Sequence, residues 1–187
     1  MFAGETYPDG SALDGPNPEL MRCGWAFVVI CFETGEVIAS AMGAPPPWTT
    51  DIGGAEAWAK IQAALRVMPG ERSRFKGDCR ACIDMVHAGL EVATSHKRAL
   101  ARVYGLLLPA LEDTCLSCVL WVPAHKSAAH VGKLRLSNGK FLTKDDVKAN
   151  DMADGFAKKA VEQHRVPRAE VEQLSNSEDD AVHMLRG

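Results

Sequence analysis

Four carboxylates stand in four separate local contexts: Asp9 in Tyr7-Pro8-Asp9-Gly10-Ser11, Glu56 in Gly54-Ala55-Glu56-Ala57, Asp78 in Lys76-Gly77-Asp78-Cys79, and Asp154 in Asn150-Asp151-Met152-Ala153-Asp154. Hard divalent cations need hard oxygen ligands, and Mg²⁺ takes only one or two protein carboxylates before completing its octahedron with water and substrate. Four acids therefore suit two ions, and the set reads as a two-metal site. His125 lies in a loop between the third and fourth acids. Histidine is the side chain whose charge changes near neutral pH, which suits proton transfer, and His130, five residues on, could substitute for it. Taken singly, each acid also has a plain structural use. Asp9 can shape a turn, Glu56 can favour a helix N-terminus, Asp78 can cap the helix that follows it, and Asp154 can be an exposed helical acid.

The elements that must position these residues follow from the hydrophobic pattern. Residues 24–32 form a nearly continuous apolar run of buried-strand length. Glu33-Thr34-Gly35-Glu36 is a turn signal, and residues 37–41 return as a second strand, giving an antiparallel hairpin. With Asp9 read as lying just after a first strand, that strand is short. Beyond Pro45-Pro46-Pro47, the residues Trp58, Ile61, Leu65 and Met68 recur at helical spacing, which places Glu56 in the first helical turn. Residues 73–78 form a short strand ending at Asp78, polar for a central position. A helix then runs through Ile83 and Val86 to a stop at Gly89. Leu100, Val103, Leu107 and Leu111 mark another helix with Pro109 as a potential kink, and residues 115–122 supply an apolar strand. Residues 133–143 alternate around Asn138-Gly139, a hairpin signal. Thr143-Lys144-Asp145-Asp146 has capping-box spacing with an acid at the third helical position, and a helix continues to about His164, with Asp154 well inside it.

The length of 187 residues with 47% hydrophobic content suits one domain, residues 1–164, followed by a polar tail, residues 165–187 with Ser175 to Asp180 within it, expected to be disordered. No apolar run is long enough to span a bilayer and no secretory signal core is evident, so an intracellular protein of the cytoplasm or nucleus, with no membrane partner, is expected. The formal charge of −3 opposes the basic excess usual in polyanion binders. The tail carries five acids and three bases, however, leaving 18 bases against 19 acids before it, four of them the candidate ligands. Positive charge gathers around Asp78, at Arg72, Arg74, Lys76 and Arg80. It gathers again after His125, at Lys126, Lys133, Arg135, Lys140, Lys144 and Lys148. Two Cys-x-x-Cys pairs, Cys79/Cys82 and Cys115/Cys118, raise a zinc site, but the 32 residues between the pairs exceed the usual spacing of about 15 to 20. Free buried thiols are the simpler reading.

The ordered motifs resemble the ribonuclease H family: Asp-Gly-Ser at residue 9, Ala-Glu at residue 56, Gly-Asp-Cys at residue 78 and Asn-Asp-x-Ala-Asp-x-x-Ala ending its acidic part at Asp154, over roughly residues 3–162. The resemblance implies an α/β fold with a mixed five-stranded sheet flanked by helices. It implies an endoribonuclease that hydrolyses the RNA strand of RNA/DNA hybrids with two Mg²⁺ or Mn²⁺ ions, about 3.5 to 4 Å apart. Asp9 would bridge the ions, Glu56 and Asp78 would hold one, Asp154 the other, and His125, after Trp121-Val122-Pro123-Ala124, would be the family's mobile histidine. Hybrid selectivity would come from 2′-hydroxyl contacts and groove shape. Where family members often place Asn and Arg before the helix-borne Glu, Ile52-Gly53-Gly54-Ala55 offers only backbone. The long segment between His125 and Asp154 is similar to the version attached to retrotransposon reverse transcriptases, which implies a piece of a longer polyprotein, acting as a monomer. The rival from another class is a catalytically degenerate structural or nucleic-acid-binding remnant of a retroelement.

Overall fold

The computed structural model describes residues 2–173 apart from residues 16, 18, 69–72, 113 and 115. Its elements are β1 (Glu5–Leu13), β2 (Arg22–Ile30), β3 (Val37–Gly43), α1 (Ile52–Ala64), β4 (Arg74–Gly77), α2 (Arg80–Ala88), α3 (Leu90–Ala93), α4 (Ala101–Ala110), β5 (Val119–Trp121) and α5 (Lys144–Gln163). The strands form one mixed sheet in the order β3-β2-β1-β4-β5. β1 and β2 pair antiparallel, as do β2 and β3, while β4 is parallel to both β1 and β5.

The apolar run at 24–32 is β2, buried on both faces because helices cover both. Trp25, Phe27 and Val29 join the larger core with α1, α2 and α4. Val28 and Ile30 point the other way, to a smaller core with Tyr7 and with Ala149 and Ala153 of α5, as strand alternation requires. Small residues let α5 lie close to the sheet. Ala149, Ala153, Ala157 and Ala160 are buried, and a Cβ on Gly24 would come within 2.6 Å of the Ala157 carbonyl oxygen.

Several expectations change. Asp9 is not after the first strand but in the middle of it: pairing runs on through Gly10↔Trp25 to Leu13↔Arg22. The turn-forming Gly10 serves a tertiary purpose, since a Cβ there would stand 2.4 Å from the Glu56 backbone nitrogen. Glu56 is the fifth residue of α1, in its second turn, because Asp51 caps the helix by accepting from the Gly54 N–H at 2.6 Å. α1 ends at Ala64, so Leu65 and Met68 are exposed rather than core. The strand expected over 115–122 is only Val119–Trp121. Cys118 lies in a 3₁₀ turn, Leu116–Cys118, and Cys115 lies outside the described residues. The Asn138-Gly139 segment turns as expected, with Gly139 at φ 80°, but pairs through a single bridge, Arg135↔Phe141. Packing continues past residue 164: Arg165 pairs with Asp14 at 3.2 Å and Val166 is buried. The Ser175 to Asp180 stretch falls outside the described residues.

The polar strand β4 has a physical explanation. Lys76, grouped from sequence with the positive surface around Asp78, is buried. Its Nζ lies 2.6 Å from both Glu5 Oε2 and Asp146 Oδ1. Tyr7 donates to Asp146 Oδ1 at 2.8 Å. Asp146 also completes the expected capping box, accepting from the Thr143 N–H at 2.8 Å while Thr143 Oγ1 accepts from the Asp146 N–H. Burial alone would push the Asp146 carboxyl up. The bonds from Lys76 and Thr143 outweigh it and hold the group below the usual carboxylate range.

Candidate active site

The β1–β4 ladder registers only Glu5↔Arg74 and Thr6↔Phe75. Pro8 brings no N–H to extend it, and β4 stops at Gly77. The sheet is therefore notched between the two strands, and Asp78 stands at the mouth of the notch. Asp9 shares Tyr7's side of β1 by alternation, the side of α5, whereas α1 covers the other face. The notch lets acids from both faces meet. Carboxylate oxygens of Asp9, Glu56 and Asp78 all lie within 4.8 Å of one another.

Crowding leaves its mark on Asp9, whose carboxyl is pushed up to about 9. Burial is the first cause, followed by the Glu56 charge, a hydrogen bond shared with Glu56, and the charges of Asp78 and Asp154. Asp154 is outside the close trio but near enough to act on Asp9; its Oδ2 accepts from Lys158 Nζ at 2.8 Å. Asp78 does not cap α2, because the cap residue is Cys79 and it makes no side-chain cap bond. Asp78 is instead held by two contacts. Trp121 Nε1 donates to its carbonyl at 3.0 Å, and Asn150 Nδ2 donates to its Oδ2 at 3.2 Å. Asn150 is 4% exposed, and its buried Oδ1 has no hydrogen-bond partner.

His125 follows β5 in the exposed loop, with φ 47°, a left-handed conformation uncommon for a residue with a side chain. No hydrogen bond holds its ring among the described residues. His130 is engaged, its Nδ1 lying 3.1 Å from Ser127 Oγ. Of the five residues expected at the site, three are thus brought together, Asp154 stands beside them, and His125 is on a neighbouring loop. Sequence reasoning passed over Lys60 and Lys158. Each follows a helix-borne acid by four residues and bonds it, Lys60 Nζ to Glu56 Oε2 at 3.1 Å and Lys158 to Asp154. The i,i+4 spacing was the available signal.

No family model matches the sequence, and no curated protein matches it. Solved structures do. The RNase H domain of PFV superposes with a TM-score of 0.57 at 16% identity, over 86% of this chain and 95% of that one. The chain has the ribonuclease H-like fold. A type 1 RNase H with the type 2 active-site motif gives a TM-score of 0.59 at 17% identity, covering 87% of this chain and 74% of that chain. The N-terminal RNase H domain of a Mycobacterium tuberculosis protein gives 0.54 at 15% identity, covering 86% and 96%. In this ribonuclease H-like chain the five-stranded mixed sheet and its flanking helices are those the resemblance implies. No described helix is long and apolar enough to cross a membrane.

Proposed function

We propose that the chain is a metal-dependent endoribonuclease that cuts the RNA strand of RNA/DNA hybrids, with Asp9, Glu56, Asp78 and Asp154 as the cation-holding acids of residues 1–164. The observation that carries this is the trio of carboxylates packed within 4.8 Å at a notch in a ribonuclease H-like sheet. The donor set fits a hard divalent cation. All three groups offer oxygen, and their carboxylates converge within 4.8 Å of one another. Two Mg²⁺ or Mn²⁺ ions, when bound, supply charge stabilisation at the attacking and leaving oxygens.

The chain's own residues do the rest. Asn150 and Trp121 fix Asp78 from side chain and backbone respectively, so its oxygens keep their aim toward Asp9. The Asp51 side chain already occupies the Gly54 N–H, which removes a backbone donor that the stretch before Glu56 could have offered a phosphate. Phosphate contacts are assigned instead to Lys133, Lys140, Lys144 and Lys148, which are exposed and without ion-pair partners among the described residues. A cleavage assay tests the assignment. Labelled RNA/DNA hybrid should be cut in Mg²⁺ and not in EDTA, while RNA and DNA duplexes are left intact. A protein inert on all three would be a degenerate remnant.

His125 is assigned the proton at the leaving 3′ oxygen. Its free ring on a left-handed loop residue suits a group that must move. His125→Ala is expected to slow turnover by about ten- to a thousandfold, the range around general acid–base catalysis, with cation affinity unchanged. His130→Ala should cost far less, since Ser127 already ties that ring. Initial rates alongside calorimetric Mg²⁺ titration check both; a larger loss in His130→Ala would reverse the assignment.

A further inference from the structure

Lys60 is a fully buried cation, 0% exposed, bonded to one acid of the site, Glu56. Its Nζ touches Glu56 twice, at Oε2 (3.1 Å) and at the main-chain oxygen (3.2 Å). Its tip lies over Gly77: a Cβ built there would stand 3.1 Å from both Cε and Nζ of Lys60 and 3.7 Å from the Pro8 carbonyl oxygen. The ammonium therefore lies against Glu56 and against Gly77, the residue before Asp78. Gly77 is the residue that leaves it room.

A buried charge persists only where it is paired, and Glu56 is what pairs this one. The other lysine of the site, Lys158, has a side chain 59% exposed and can release Asp154 to water or substrate. Lys60 has no such freedom, because no solvent reaches it. It holds Glu56 Oε2 from the buried side, while the same carboxylate also shares a hydrogen bond with Asp9.

We propose that Lys60 is a positioning residue, the fixed internal counter-charge of the acidic cluster, which keeps Glu56 in place without a cation and loosens the cluster's grip on the cation that binds. The inference rests on the reading of Asp9, Glu56 and Asp78 as a divalent-cation site. It makes this site one that is assembled before the ion arrives, in exchange for affinity. A unit charge a few ångströms from a divalent ion is worth more than about a factor of ten in binding even at protein-like screening.

The test is calorimetric Mn²⁺ titration, with thermal unfolding in EDTA and in Mn²⁺, on the parent chain, Lys60→Gln and Lys60→Met. Gln keeps a donor for the Glu56 carbonyl, and Met keeps only the shape. Both variants should bind Mn²⁺ at least about tenfold more tightly than the parent. Both should melt lower in EDTA and recover more on adding Mn²⁺. Affinity equal to or weaker than the parent's overturns the proposal. A variant that stays unfolded at saturating Mn²⁺ also overturns it, since Lys60 would then be a structural ion pair that no cation replaces. A parent that binds no Mn²⁺ removes the cation site itself, an outcome visible before any variant is compared.

Discussion

Asp9→Asn is expected to lower hybrid cleavage at least roughly a hundredfold while raising the melting temperature of the cation-free protein. Both effects have one origin. Asp9 is buried against Glu56, with Asp78 and Asp154 close by, so its negative charge is what the bound cation needs and what the empty fold tolerates worst. The pH dependence has a definite sign. The Asp9 carboxyl titrates near 3.8 in an unfolded chain and near 9 in the fold. Between those values the native state holds a proton that the unfolded state has lost. Stability therefore falls as pH rises through the window, and the full penalty applies above about 9. Scanning calorimetry in EDTA should show Asp9→Asn melting above the parent by a margin that widens from pH 5 to pH 9. A margin that narrows would remove the charge account. Asp78→Asn and Asp154→Asn should also lose at least roughly a hundredfold in rate; three variants cutting like the parent would show that the acids are misassigned.

Lys76→Met is expected to destabilise the fold by about 3 to 5 kcal/mol, the cost of removing one partner from a buried ion pair. The variant strands Asp146, which is 1% exposed, and leaves Glu5 with Arg74 alone among its two cationic partners. Tyr7 cannot make up the loss by ionising, since burial pushes its phenol up, as do the neighbouring acids Asp146 and Glu5. Its single proton can serve one acceptor at a time. Urea unfolding of the variant measures the cost. A loss under about 1 kcal/mol would place the pair in the class of screened surface bridges.

What could be read in the sequence was what depends on neighbours along the chain. The β2–β3 hairpin, the Gly89 stop and the Thr143 capping box each need only a few adjacent residues, and each stands where the pattern put it. What could not be read depends on partners far away. Pro8 and Gly10 look like turn residues, and they lie inside a strand because α1 needs the space over Gly10. β4 looks too polar for the sheet interior until Asp146, 70 positions away, neutralises Lys76. Motif order picked out four acids, and three of them, Asp9, Glu56 and Asp78, lie close together in the fold. Lys60 was not singled out because an i,i+4 Glu–Lys pair is ordinary on an exposed helix face. Only the third dimension shows that this one faces inward.

Asp146 ties Tyr7, 139 positions earlier, to the start of α5, and that has a consequence for how the chain is made. Synthesis delivers the N-terminal elements first, so a growing chain contains Asp9, Glu56 and Asp78 long before it contains α5. Until that helix emerges, the side of β2 carrying Val28 and Ile30 stays wet and Lys76 lacks one of its two acids. Closure across such long separations is slow and comes late. The same closure brings Asp154 to Asp9, so the four-acid site proposed for this chain is complete only once α5 has docked.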